Sequence, residues 1–147
     1  MNLTQHLQLP FDSAMIQLLK ELKKKGFNIL SVSSIDKPFN ELLDITFSRY
    51  SVISVVVLPL AYRALTMDED FGAVMPCNIA VYEKDDKTVI SAIKPTAFTH
   101  LIGDGILTST LMLIERKLQD VLDTVGRRGS RLVNSSQFSV ILNHGIN

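Results

Sequence analysis

Thiols and imidazoles are scarce in this chain: one cysteine, Cys77, and three histidines, His6, His100 and His144, in 147 residues. A single cysteine cannot close an internal disulfide, so the cytoplasm is the expected compartment. The same four residues lack the clustered spacing of a structural zinc site, and neither a metal nor a cofactor is expected. A haem or copper site would need ligands shared across a dimer. Excess charge of one sign is also missing, since 15 Lys and Arg balance 15 Asp and Glu. No overall field draws the chain onto nucleic acid or anionic lipid, and neither is expected as a partner. The longest apolar run, Val52 to Leu60, is interrupted by Ser54 and Pro59 and falls far short of the roughly 20 residues that span a bilayer. The N-terminal MNLTQHLQLPFD has neither the basic start nor the apolar block of a signal peptide. Gly103-Asp104-Gly105 lacks the Gly-Lys-Ser/Thr ending of a Walker loop and reads as the turn before a helix. Asp68-Glu69-Asp70 are consecutive loop carboxylates, which are ordinarily solvated. No repeat or low-complexity tract is present.

What the chain does have is apolar content, 46% of its residues, enough at this length to bury one core. Its clearest local signal is a β-hairpin. Cys77, Ile79 and Val81 alternate with Asn78, Ala80 and Tyr82, and a second β-rich run, Thr88 to Lys94, follows the polar tip Lys84-Asp85-Asp86-Lys87. A two- or four-residue loop gives the same register, with Glu83 opposite Thr88, Val81 opposite Ile90, Ile79 opposite Ala92 and Cys77 opposite Lys94. Pro76 and Pro95, having no N–H to donate, end the ladder.

Around the hairpin, helical and extended patterns alternate. Phe11, Met15, Leu18, Leu19 and Leu22 have helical spacing, with Asp12 as N-cap and Phe11 stapled to Ile16. Gly26 is placed to end this helix in a left-handed conformation, with Phe27 folding back onto Leu22 as in a Schellman motif. Leu3 to Leu9 reads as a strand with His6 on its wet face, Phe27 to Ile35 as a second strand, Lys37 to Phe47 as a short helix, and Tyr50 to Leu58 as a strand apolar on both faces. Leu107, Leu111, Ile114, Leu118, Val121, Leu122 and Val125 form the core stripe of a last helix expected to stop at Gly126. The expected organisation is one domain over residues 1–126. Beyond it lies a tail, 127–147, with a strand-like Phe138 to Leu142, expected to be an extra edge strand, a dimer arm or disordered.

Pro76-Cys77-Asn78, Val81-Tyr82-Glu83, the acidic tip and Lys94-Pro95 resemble a small bacterial and archaeal family, domain of unknown function 302. The resemblance extends through Lys25-Gly26-Phe27, Ile35-Asp36 and Leu58-Pro59 to the last helix, over roughly residues 3 to 125. It implies a compact α+β domain, a two-layer antiparallel sheet of about five strands with helices packed on it, that dimerises. The family carries no established reaction.

Two functional classes follow. The first is a non-catalytic ligand-binding or homo-oligomeric assembly module. Its small-molecule ligand would sit between the long Leu58 to Pro76 connection and the open hairpin end, near Cys77, Asn78, Lys94 and His100. The second is a cysteine-dependent enzyme or redox or metal-binding protein, with Cys77 activated by Lys94 and His100 as base. A buried, inert Cys77 with Lys94 reaching past it to solvent is the plainer alternative to the second. A homodimer is expected, with Tyr50 to Leu58 or the neighbouring sheet face as its contact, because a strand apolar on both faces needs cover on both.

Overall fold

The computed structural model describes residues 2–103 and 105–134, the last five of these by backbone alone. Five strands form one antiparallel sheet in the order β1-β5-β4-β3-β2: β1 (Asn2–Leu7), β2 (Asn28–Ser34), β3 (Tyr50–Val56), β4 (Cys77–Lys84) and β5 (Lys87–Ile93). The α+β class and the antiparallel sheet are as the pattern implies. So is the hairpin register, with Glu83 opposite Thr88, Val81 opposite Ile90 and Ile79 opposite Ala92. The loop has two residues. Asp85 and Asp86 both take positive φ, 52° and 62°, the backbone of a type I′ turn.

Two helices cover one face. α1 (Phe11–Lys24) and α4 (Gly105–Asn134) pack on each other and on the sheet. The main core joins Leu18 and Leu22 of α1 and Leu118, Val121 and Leu122 of α4 to Leu3, Leu7, Ile53, Val55, Ile79, Val81 and Ile90 of the strands. α1 ends in the expected Schellman geometry: Gly26, at φ 91°, donates to Lys23 O at 3.1 Å, and Phe27 donates to Leu22 O at 2.9 Å. Its start differs from expectation. Pro10, at φ −59°, holds the N-cap position without a side-chain bond, and Asp12 lies inside the first turn. From there its carboxylate faces the helix N-terminus and meets Arg49 Nη1 at 2.8 Å.

Three further boundaries differ. The Leu58 to Pro76 connection is largely helical, comprising α3 (Leu58–Met67) and a 3₁₀ helix over Glu69–Ala73. Pro59, which reads as a strand breaker, occupies the first turn of α3, where the missing N–H costs nothing. α2 is short, Asp36–Leu42. The last helix does not stop at Gly126 but continues to Asn134. A glycine inside a helix costs only about 1 kcal/mol, so Gly126 does not end α4; the nearest group to a Cβ there would be the movable amide end of Gln5, at 2.6 Å from its Oε1. Asp104 and the strand-like run at 138–142 lie outside the described residues. A second, smaller core of Ala64, Phe71, Leu107 and Leu111 fills the space under α3 at the open end of the hairpin.

Candidate functional site

The open hairpin end is built by two prolines and the seam between the two cores. Pro76 delivers the chain into β4. The β4–β5 ladder runs only as far as Ile79 and Ala92, so Cys77 does not sit opposite Lys94 in the sheet; its lateral partner is Val55 on β3. Pro95 opens a 3₁₀ helix, Pro95–Leu101, that turns the chain away immediately after Lys94. The corner encloses a cavity of about 90 Å³ lined by Val74, Pro76, Cys77, Asn78, Ile93, Pro95 and Phe98. Cys77 packs on the main core, and Val74 and Phe98 on the second.

Burial pushes the Cys77 thiol up from 9.0 to about 11. An apolar wall solvates a thiolate poorly, so the group stays protonated at neutral pH, opposite to the activation expected from an adjacent ammonium. Lys94 lines a different depression, of about 330 Å³, with Thr96, Met112, Glu115, Arg116, Gln119 and Asp120. There Glu115 Oε1 accepts from the Thr96 backbone N–H at 3.1 Å and its hydroxyl at 2.6 Å, tying the 3₁₀ helix to α4. His100 is exposed on that 3₁₀ helix. Of the four candidates, Cys77 and Asn78 share a cavity, while Lys94 and His100 are not among its lining residues. Among the described residues no group of three His, Cys, Asp or Glu is placed to hold a metal ion, and no helix is long and apolar enough to cross a membrane.

A larger depression, about 540 Å³, lies at the opposite end, beside the hairpin tip. Its central cation is already engaged, since the Arg49 guanidinium pairs with Asp12 and lies 4.2 Å over the Phe11 ring.

The more distinctive surface is the sheet face opposite α1 and α4. Strand register places Thr4, Ser91, Ala80, Val52 and Ser33 in one row across all five strands, followed by the shorter rows Asn2–Ile93 on β1 and β5 and Asn78–Ser54–Ser31 on β4, β3 and β2. None of these rows contains a charged residue. Both long helices pack on the other side, against the main core, and Val52, Ser54, Ala80 and Ser91 of these rows are half-buried. Along the tip side runs an aromatic series: Tyr82 stacks on Tyr50 at 5.2 Å, Tyr50 meets Phe47 at 6.3 Å, and Phe47 meets Phe39 at 5.0 Å. This face follows from the alternation of β4 and β5. The exposed apolar segment beyond Phe39 is a feature that pattern reasoning missed, because Leu42, Leu43, Ile45 and Phe47 pass for the buried stripe of a helix.

Residues 3–125 match the family described as domain of unknown function DUF302. Among solved structures, the uncharacterized conserved protein DUF302 from Bacillus stearothermophilus is similar at 24% identity with a TM-score of 0.77, over 83% of this chain and 95% of that one. This likeness shows the fold. No curated protein matches the chain.

Proposed function

Since this chain belongs to the family domain of unknown function DUF302, its role has to be read from its own surfaces, and we propose that it is a non-catalytic assembly module that forms a homodimer through the face of its sheet opposite α1 and α4. The observation that carries this reading is the one-sidedness of the fold: both long helices lie on one face. A sheet with one wet face is ordinary when that face is charged and polar. Here the rows carry only small, amide or aliphatic side chains, so a second copy can cover them without burying an unpaired charge.

The state of Cys77 supports the non-catalytic half of the reading. A nucleophile needs a thiolate and a proton acceptor in contact, whereas this thiol is held protonated by burial. The cavity beside it, about 90 Å³, is well below the roughly 300–1,000 Å³ of ordinary ligand pockets. A small apolar group of a few heavy atoms is the ligand that fits it. Alkylation of the folded protein distinguishes the classes: the half-buried, protonated thiol resists at neutral pH, and rapid modification there would favour the cysteine-dependent alternative.

Sedimentation equilibrium at micromolar concentration tests the assembly itself. A dimer is expected, and Val52→Lys, placed in the uncharged row, weakens it. Val55→Lys is unsuited to this test because Val55 is fully buried in the main core. A wild-type monomer at these concentrations overturns the reading.

A further inference from the structure

We infer that the segment from Asp36 to Phe47 is the principal contact of the homodimer, with the Leu42, Leu43 and Ile45 side chains of each copy buried against the other. The inference rests on the assembly reading above and adds where the copies meet.

No residue from 36 to 49 is buried within the chain. Yet the stretch carries Leu42 at 81% exposure, Leu43 at 59%, Ile45 at 49% and Phe47 at 41%, beside Leu30 at 55% and Val32 at 49% on the edge strand β2. α2 itself has seven residues and no side-chain cap, too short to be stable in water on propensity alone.

The segment is nevertheless held in one posture. At its start, Asp36 Oδ1 accepts from the Ser34 hydroxyl at 3.0 Å and from the Tyr50 N–H at 2.9 Å. Near its end, the Phe47 N–H donates to Asn40 Oδ1 at 2.9 Å. The Phe39–Phe47–Tyr50 ring contacts fix its base. Between them Asp44 turns the chain at φ 54°, a conformation that a residue with a Cβ adopts at a cost. Hydrogen bonds and rings therefore hold one side of the segment, and the aliphatic side chains are left facing outward. Such preorganisation lowers the entropy cost of association.

Area and charge together indicate a second copy. The four exposed side chains of the segment, Leu42, Leu43, Ile45 and Phe47, present on the order of 400 Å² of apolar surface, about half of the roughly 800 Å² per partner of a standard interface, the rest of which the adjoining uncharged sheet rows would supply. The segment's charged residues are Asp36, Lys37, Glu41 and Asp44, an acidic excess unsuited to an anionic lipid surface. Beside it lies the chain's own uncharged sheet face, a receptor of matching character. Under two-fold symmetry each copy supplies both the protruding aliphatic segment and the surface that receives it.

Sedimentation equilibrium of the full chain, comparing wild type with Leu42→Glu, Leu43→Glu and Tyr62→Glu, tests this. Tyr62, 76% exposed on α3, controls for loss of any exposed apolar side chain. The expected result is a wild-type dimer whose dissociation constant rises at least roughly 30-fold in each leucine variant and is unchanged in Tyr62→Glu. A wild-type dimer that both leucine variants leave intact overturns this contact while preserving the assembly reading; a monomeric wild type overturns both.

Discussion

Arg128 Nη1 lies 3.1 Å from Oε2 of Glu21, a carboxylate only 1% exposed. The pair joins α1 to the part of α4 beyond Gly126. Arg128 reaches solvent and Glu21 does not, so removing the guanidinium strands a charge in the core. Arg128→Ala is expected to cost about 2–3 kcal/mol in chemical denaturation, and adding Glu21→Met should recover most of it by removing the stranded charge. Truncation after Gly126 removes this partner and the close passage of Gly129 over Leu7, where a Cβ would come within 3.1 Å of Cδ2. The truncated protein is expected to melt well below the full chain; equal melting temperatures would show that the end of α4 contributes nothing.

Cys77 gives the fold an alkaline limit. Its thiol ionises near 9.0 when unperturbed and near 11 in the folded protein. Between those values the unfolded chain has released a proton that the folded one retains, so this group's contribution to stability is whole below about pH 9 and is lost as the pH rises through about 11. Urea midpoints should therefore fall more steeply over that interval in the wild type than in Cys77→Ala. At neutral pH the substitution itself should cost about 1 kcal/mol or less. Parallel alkaline profiles would mean that Cys77 ionises freely in the fold.

The hairpin tip stores removable strain. Asp85 and Asp86 both adopt left-handed backbone, which asparagine and glycine accept at lower cost. The double replacement Asp85→Asn with Asp86→Gly is expected to raise stability by about 1 kcal/mol without altering self-association. A drop in the urea midpoint would show that the two carboxylates make contacts worth more than the strain they impose.

Much of this architecture is legible from period and punctuation. The alternation at Ile79 and Val81 fixes the hairpin register, and Gly26 before Phe27 fixes the end of α1, because each depends on neighbours in sequence. α3 was hidden because Leu58-Pro59 reads as a strand ending when it is a helix beginning; the difference lies in the second core, where Ala64 meets Phe71, Leu107 and Leu111. Gly126 misled because a lone glycine inside a helix costs only about 1 kcal/mol and need not end it. The candidate site was half legible. Cys77 and Asn78 do share a cavity, but the separation of Lys94 follows from Pro95 starting a 3₁₀ helix that ends the ladder two pairs early.

The pairing of β1 with β5, Leu3 opposite Ala92, has a consequence for how the molecule is made. Among the described residues β1 pairs only with β5, the strand farthest from it in sequence, and the two helices of the core, α1 and α4, are also the two farthest apart in sequence. Closing so long a loop must precede the contacts that reward it. A nascent chain therefore carries Leu3 and Leu7 without their sheet partners until β5 has emerged, and without their full cover until α4 follows. The sheet is therefore complete only once β5 has emerged, and an arrest before β5 leaves a fragment with β1 unpaired.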